Sequence, residues 1–278
     1  MGLARTRRET GGEHEIASEG APAMNVRALG CSGGIGGELR TSCFRIDRDL
    51  LLDAGTGIGN LALDEMRAIR HVFLTHSHLD HLAGLPLMLD SIFGDIESPL
   101  VLHARPETLE ALREHVFNWV IWPDFSRLPN PEQPVLRFEA MSPGETLELG
   151  GRRVRMIEVN HTVPGVAYCV ESAEGKRFAY SGDTMSNDSL WEALNAIDRL
   201  DVLVVECAFG NQDEALSRMA GHYCPRTLAE DLKKLRHDPD IYVTHLKPGA
   251  EERIFSELRS LVPDRRLHRL CGNDRIRL

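Results

Sequence analysis

The stretch THSHLDHLAG, residues 75–84, constrains this chain more than any other. It directly follows the apolar run HVFL and places His76, His78, Asp80 and His81 within six consecutive positions. The run reads as a strand ending at Thr75, which leaves the four groups on the loop and first helical turn beyond it. A loop at a strand end lets a rigid scaffold aim several side chains at one point. Imidazole and carboxylate are good ligands for zinc, manganese or iron, and four such groups in so short a span are hard to satisfy separately.

Other short apolar or alternating runs, bounded by Gly, Asp or charge, read as strands: NVRALG, SCFRI, LLLDAG, PLVLHA, VRMIEV, VAYCVES, RFAYSGD, DVLVVECAF and DIYVTHL. Helical patterning occurs at PETLEALREHVFNW, SLWEALNAI, PRTLAEDLKKL and AEERIFSELRSLV, the first and third opening on proline at the first helical position. The segment IWPDFSRLPNPEQP, 121–134, carries four prolines and reads as a surface loop. At 278 residues and 42% hydrophobic content the chain can bury a sizeable core, and a single domain over 24–278 is expected. Residues 1–23 are charged and Gly-rich with no apolar h-region, so they are expected to lie outside the fold as an N-terminal extension.

A formal charge of -10 argues against a surface built mainly to hold nucleic acid, which draws on clustered Lys and Arg. Six cysteines without any CxxC pair suit reduced thiols and a cytoplasmic location. No run of apolar residues is long enough to span a bilayer, so no membrane partner is expected.

The pattern His76, His78, Asp80, His81 resembles the H-x-H-x-D-H motif of the metallo-β-lactamase superfamily. Further landmarks stand in order, each after an apolar run: His161 in EVNHTVPG, Asp183 in YSGDT and His245 in VTHLKP. The resemblance spans roughly residues 25–278 and implies an α/β fold, a four-layer αβ/βα sandwich with the site at one edge. It implies two divalent metal ions, one held by His76, His78 and His161, the other by Asp80, His81 and His245, with Asp183 bridging. Zinc is the first expectation, and manganese or iron fit the same donors. Two dications a few ångströms apart repel strongly, which is why a shared carboxylate is needed between them.

HLDHLAGLPLMLDSI, ECAFGN and GHYCPRTLAEDLKKL are similar to segments of the class II 3′,5′-cyclic-nucleotide phosphodiesterases within that superfamily. Asp90 and Cys224 depart from the usual pattern. The resemblance implies hydrolysis of cAMP or cGMP to the 5′-monophosphate, with His222 as general acid on the departing 3′ oxygen and Asp80 and Asp183 completing the catalytic set. Glu206 can orient His222 or a metal ligand, or be an ordinary strand-end carboxylate. Likewise, His222 can be a helix-capping histidine. Asp53, in DAGTG, is expected to support the ligands.

Asn118, Trp119, Trp122 and Phe125 form the most aromatic patch in a chain only 6% aromatic. Asn118, Trp122 and Phe125 are expected to bind substrate, with Trp122 or Phe125 stacking on the base, while Trp119 is expected to pack in the core. The Gly-rich GCSGGIGGELRTS lacks the Lys of a P-loop and reads as a strand connection at the rim of the site. A cyclic nucleotide is thus the expected partner, and a homodimer is compatible with the chain. Two rival readings are a ribonuclease Z-like RNA phosphodiesterase and a non-catalytic di-metal sensor of a small ligand.

Overall fold

A computed structural model describes residues 23–278. Apart from Ala23, the expected N-terminal extension lies outside the described residues. Strands β1 (Asn25–Gly30), β2 (Cys43–Ile46), β3 (Leu50–Leu52), β4 (His71–Phe73), β5 (Leu100–Ala104) and β6 (Leu136–Ala140) lie side by side in that order. A second sheet takes β7 (Thr146–Leu149), β8 (Arg152–Val159), β9 (Gly165–Glu171), β10 (Arg177–Tyr180), β11 (Val202–Glu206), β12 (Asp240–Thr244) and β13 (Leu267–Arg269). The last strand, β14 (Arg275–Arg277), returns to the first sheet beside β1. Each sheet begins antiparallel and turns parallel midway, at β3/β4 and at β10/β11.

Side-chain alternation explains why the two sheets stack. Leu50, Leu52 and Phe73 point into the core between the sheets, as do Val202 and Val204. Their neighbours Leu51 and Val72 face an outer core under α1 (Leu63–Ala68), α2 (Leu79–Leu82), α3 (Gly84–Ile92) and α4 (Pro106–His115). Leu203 and Val205 face a second outer core. It is closed by Leu190 and Trp191 of α5 (Ser189–Asn195), Leu228 of α7 (Pro225–Leu232) and Ile254 and Leu258 of α8 (Glu251–Leu261). One short helix, α6 (Glu214–Met219), precedes α7. Strands apolar on both faces can be satisfied only with a layer on each side, and the result is the four-layer αβ/βα sandwich that the resemblance implied. A fully buried Leu or Phe side chain contributes about 1.5–3 kcal/mol, so the alternation in these short strands is enough to fix their register.

Far from the H-x-H-x-D-H loop along each strand, Arg152 at the start of β8 bonds Asp47 at 3.1 Å and Asp49 at 2.7 Å in the turn joining β2 and β3. This pair of contacts ties one sheet to the other. All six cysteines are free thiols. Among the described residues no helix is long and apolar enough to cross a membrane.

The strand through HVFL ends at Phe73 instead of Thr75, because the Thr75 N–H donates to the Asp53 carboxylate at 2.8 Å and leaves the ladder. No helix or strand forms between α4 and β6, as expected of the proline-rich segment, yet that loop is anchored by burial of Phe117 and Phe125 in the first outer core.

Candidate metal centre

The loops that carry the chemistry leave strands of both sheets at one edge of the sandwich. β4 leads into His76, His78, Asp80 and His81; β8 into His161; β10 into Asp183; β12 into His245. One ligand atom from each of His76, His78, His161 and Asp183 lies within 4.8 Å of the others, and the same holds for Asp80, His81, Asp183 and His245. Asp183 belongs to both groups. Its Oδ2 lies 3.1 Å from His81 Nε2 and 3.7 Å from His76 Nε2, while Oδ1 lies 3.3 Å from His245 Nδ1. Asp80 Oδ2 is 3.7 Å from both His81 Nε2 and His245 Nε2.

Hydrogen bonds behind the rings decide which nitrogen faces the cluster. His76 Nδ1 donates to Thr75 Oγ1 (2.9 Å), whose own proton goes to Asp53, 3.0 Å away. His81 Nδ1 donates directly to Asp53 Oδ2 at 2.6 Å, and the Tyr180 hydroxyl adds a further bond to that oxygen at 2.9 Å. His161 Nδ1 donates to the Gly221 carbonyl at 2.8 Å. With one nitrogen so occupied, a neutral ring presents a lone pair on the other. His161 Nε2 and His78 Nδ1 face each other at 3.1 Å.

Buried polar atoms almost always have partners, yet His76 Nε2, His81 Nε2 and Asp183 Oδ1 have none. All three point into the same small volume. A divalent cation is the partner these N and O donors fit, and the cluster is built to hold one.

Charge states agree. Burial pushes His76 and His78 below the usual imidazole range, His161 down to about 4 and His245 down to about 3. Desolvation would raise Asp183, but His245 and His81 outweigh it and hold the carboxyl well below its ordinary range. Neutral imidazoles around an ionised carboxylate are the states a cation binds. His81 differs: burial lowers it, while Asp183 and Asp53 more than compensate and raise it.

The backbone is shaped to this end. Asp53 and His245 adopt left-handed φ values of 56° and 61°, conformations that cost a non-glycine residue about 1 kcal/mol or more. Gly221, at φ 72°, must lack a side chain, since a Cβ there would stand 2.9 Å from His161 Nδ1.

His222 sits beside this cluster, its ring stacked on His245 with centroids 5.2 Å apart. Nδ1 donates to Glu206 Oε1 at 2.8 Å, and Nε2 has no hydrogen-bond partner among the described residues. Glu206 is fully buried at the end of β11 and also accepts from the backbone N–H groups of Thr184, Ala208 and Tyr223. Burial lowers the His222 pKa, but Glu206 more than reverses this and raises it, with the Lys247 ammonium in opposition. Glu206 therefore touches His222 and the residue after Asp183, and is no ordinary surface carboxylate.

The aromatic patch differs from expectation. Phe125 is buried, packed 5.6 Å from Phe93 and 6.1 Å from Phe117, so its face is closed to a base. Trp122 lies half-buried against the same core. The Asn118 amide is engaged locally: Nδ2 donates to the Glu114 carbonyl, and Oδ1 accepts from the N–H groups of Val120 and Ile121. Trp119, expected inside, is 57% exposed with a φ of 65°. Composition drew attention to these aromatics, but a proline-rich loop folding back on the core decides which faces remain open. Two residues to which the sequence assigned no substrate role stand beside His222 instead: Phe209, 5.7 Å between ring centroids, and Lys247, 5.5 Å from the Phe209 ring. Phe209 closes the E-x-x-F pattern of ECAFGN, where the pattern assigned it no role, and Lys247 lies two residues after His245 in VTHLKP.

A protein of Yersinia pestis called a probable 3′,5′-cyclic-nucleotide phosphodiesterase is 27% identical, over 85% of this chain and 82% of its own length. Ribonuclease Z of Halorubrum lacusprofundi is 29% identical over 54% of this chain and 48% of its own. The crystal structure of unliganded yeast PDE1 superposes with a TM-score of 0.79 at 19% identity, covering 93% of this chain and all (100%) of that one. Residues 48–246 match the family described as Beta-lactamase superfamily domain, and to that superfamily the chain belongs.

Proposed function

We propose that the protein is a metal-dependent phosphodiesterase that opens 3′,5′-cyclic nucleotides to 5′-nucleoside monophosphates on a pair of divalent cations, zinc by first choice. The observation that carries this reading is the Glu206–His222 pair set against the two Asp183-sharing ligand groups. His76, His78, His161 and Asp183 would hold one cation, and Asp80, His81, His245 and Asp183 the other. Bound there, such cations offset charge on phosphoryl oxygens and bring the pKa of water toward ~7.

The chain's own residues do the rest. An alkoxide leaves phosphorus slowly unless it is protonated, and His222 Nε2 is the free nitrogen positioned to give that proton to the 3′ oxygen as the P–O3′ bond breaks. Water supplies the hydroxyl added to phosphorus, and its remaining proton replaces, over the cycle, the one that His222 gives up. Glu206 holds the opposite ring nitrogen, which fixes the ring and favours its charged, proton-donating form. The likeness to the Yersinia pestis protein supports this substrate class.

A ribonuclease Z-like activity is the second reading, favoured by the likeness to the Halorubrum lacusprofundi enzyme. The β9–β10 hairpin closes over residues 172–176, so no RNA-gripping arm is inserted there, and the net charge of -10 disfavours a polyanion. Incubating zinc-loaded protein with cAMP and separating the products tests the proposal. Release of 5′-AMP is expected; 3′-AMP alone would contradict it, and tight, salt-sensitive tRNA binding without cAMP turnover would favour the second reading.

A further inference from the structure

We infer that Lys247 and Phe209 form a nucleotide-binding subsite on the His222 side of the centre, the ammonium taking a phosphate oxygen and the ring packing on the nucleoside. The inference rests on the phosphodiesterase reading and names the groups that would recognise its substrate.

The chain contains four lysines. Lys176, Lys233 and Lys234 each have a carboxylate within 4.0 Å; Lys247 has none among the described residues. Unpaired cations are ordinary on an open surface, but Lys247 is half-buried and fixed at both ends. Its backbone N–H donates to the Ala208 carbonyl at 3.1 Å, and its Nζ donates to the Gly33 carbonyl at 2.9 Å. An ammonium has three N–H groups, so this bond positions it and leaves others to donate. Gly33 is held in turn: a Cβ on it would stand 2.4 Å from the His245 carbonyl oxygen. The lysine is therefore seated on the loop that carries His245, in a molecule whose acidic residues outnumber its basic ones.

Phe209 completes the arrangement. Half-buried, it lies 5.7 Å from the His222 ring and 5.5 Å from Lys247 Nζ. A half-buried aromatic ring with an ammonium over it, the ammonium keeping N–H groups to spare beyond its bond to Gly33, can meet both things a nucleoside monophosphate presents, a flat apolar base and an anion. The buried Phe125 offers neither.

Titration calorimetry of the zinc-loaded full chain with 5′-AMP, adenosine and inorganic phosphate tests the inference. Lys247→Met is expected to weaken 5′-AMP and phosphate about ten-fold or more, leaving adenosine little changed. Phe209→Leu is expected to weaken 5′-AMP and adenosine about ten-fold or more and to leave phosphate unchanged. Lys247→Arg and Phe209→Tyr, which keep charge and ring, are expected to retain most of the parental affinity. Failure of the parent to bind 5′-AMP, parental affinity in both disruptive variants, or loss of phosphate affinity in Phe209→Leu equal to its loss of 5′-AMP would overturn the subsite. Conservative variants as weak as the disruptive ones would do the same. The broader activity is judged separately, by whether the parent turns cAMP into 5′-AMP.

Discussion

Glu206 accepts the Nδ1 proton of His222 at 2.8 Å and, through the same Oε1, the backbone N–H of Thr184 at 3.0 Å. One buried carboxylate thus sets the spacing between the proposed proton donor and Asp183, the residue preceding Thr184. His222→Ala is expected to retain its metal and to lower kcat for cAMP by about 100- to 10,000-fold. Bis(p-nitrophenyl) phosphate, whose nitrophenolate departs without a proton, should suffer far less. Equal losses on both substrates would rule out a role in protonating the leaving group.

His76→Ala and Asp183→Ala each remove a buried atom that has no hydrogen-bond partner among the described residues. Both are expected to lose bound metal together with activity. Elemental analysis after gel filtration is the measurement, and a full complement of metal in Asp183→Ala would remove it from its shared position.

Asp53 touches no proposed substrate atom, yet it accepts from Thr75, His81 and Tyr180. Asp53→Ala should lower zinc affinity about 10- to 100-fold. It should also destabilise the fold by about 1–3 kcal/mol for each buried donor left unpartnered. Competition with a chromophoric chelator reads the first effect and urea unfolding the second; a variant that binds zinc like the parent would contradict the support assigned to this residue.

Arg152 bonds Asp47 and Asp49 across the two sheets. The aspartates keep some access to water, so Arg152→Met is expected to cost about 1.5–3 kcal/mol and no more, with the metal content intact. Chemical denaturation of the two proteins at equal zinc would show this, and no change in stability would mean the contact contributes nothing net.

His103 is buried, stacked on Phe73 at 4.4 Å and bonded to His71 at 3.1 Å, and burial pushes its pKa down to about 4. An unfolded histidine titrates near ~6.5. Between these values the unfolded chain binds the extra proton, so this residue's share of stability is present at pH 7 and is lost as the pH falls from about 6.5 toward 4. His103→Gln should therefore show a shallower fall in Tm between pH 7 and pH 5 than the parent. Parallel pH profiles would show that His103 protonates without unfolding the chain.

Much of this was legible in the sequence. Ten strands and four helices stood out because they are apolar on both faces or carry a complete amphipathic stripe, as in PRTLAEDLKKL. Four strands did not: β7 and β13 lie at sheet edges and are exposed at alternate positions, β14 is RIR with only Ile276 buried, and β6 is buried only at Leu136. Edge strands need one buried face, and three residues of alternating charge carry too little pattern to see. The residues of the two ligand groups were visible because metal-binding chemistry demands His and Asp at strand exits. Asn118 and Phe125 misled because residue type does not say which way a side chain turns: the amide closes its own loop, and the ring is buried beneath a segment that looked like surface. Lys247 carried no spacing signal, and Phe209 carried one only as the end of the E-x-x-F segment, which did not show that tertiary contact brings both to His222.

The proposed ligands come from both sheets: His76, His78, Asp80 and His81 from the exit of β4, and His161, Asp183 and His245 from the exits of β8, β10 and β12. An ion seated among them would behave as a rivet through two plates. Sliding one sheet past the other would then stretch coordination bonds before it disturbed the apolar layer between them. At a free-ion concentration a thousand times the dissociation constant, such a rivet adds about 4 kcal/mol to the work of prising the plates apart. Mechanical integrity and chemistry would thus be governed by the same seven side chains, and a mutation selected to change one would be felt by the other.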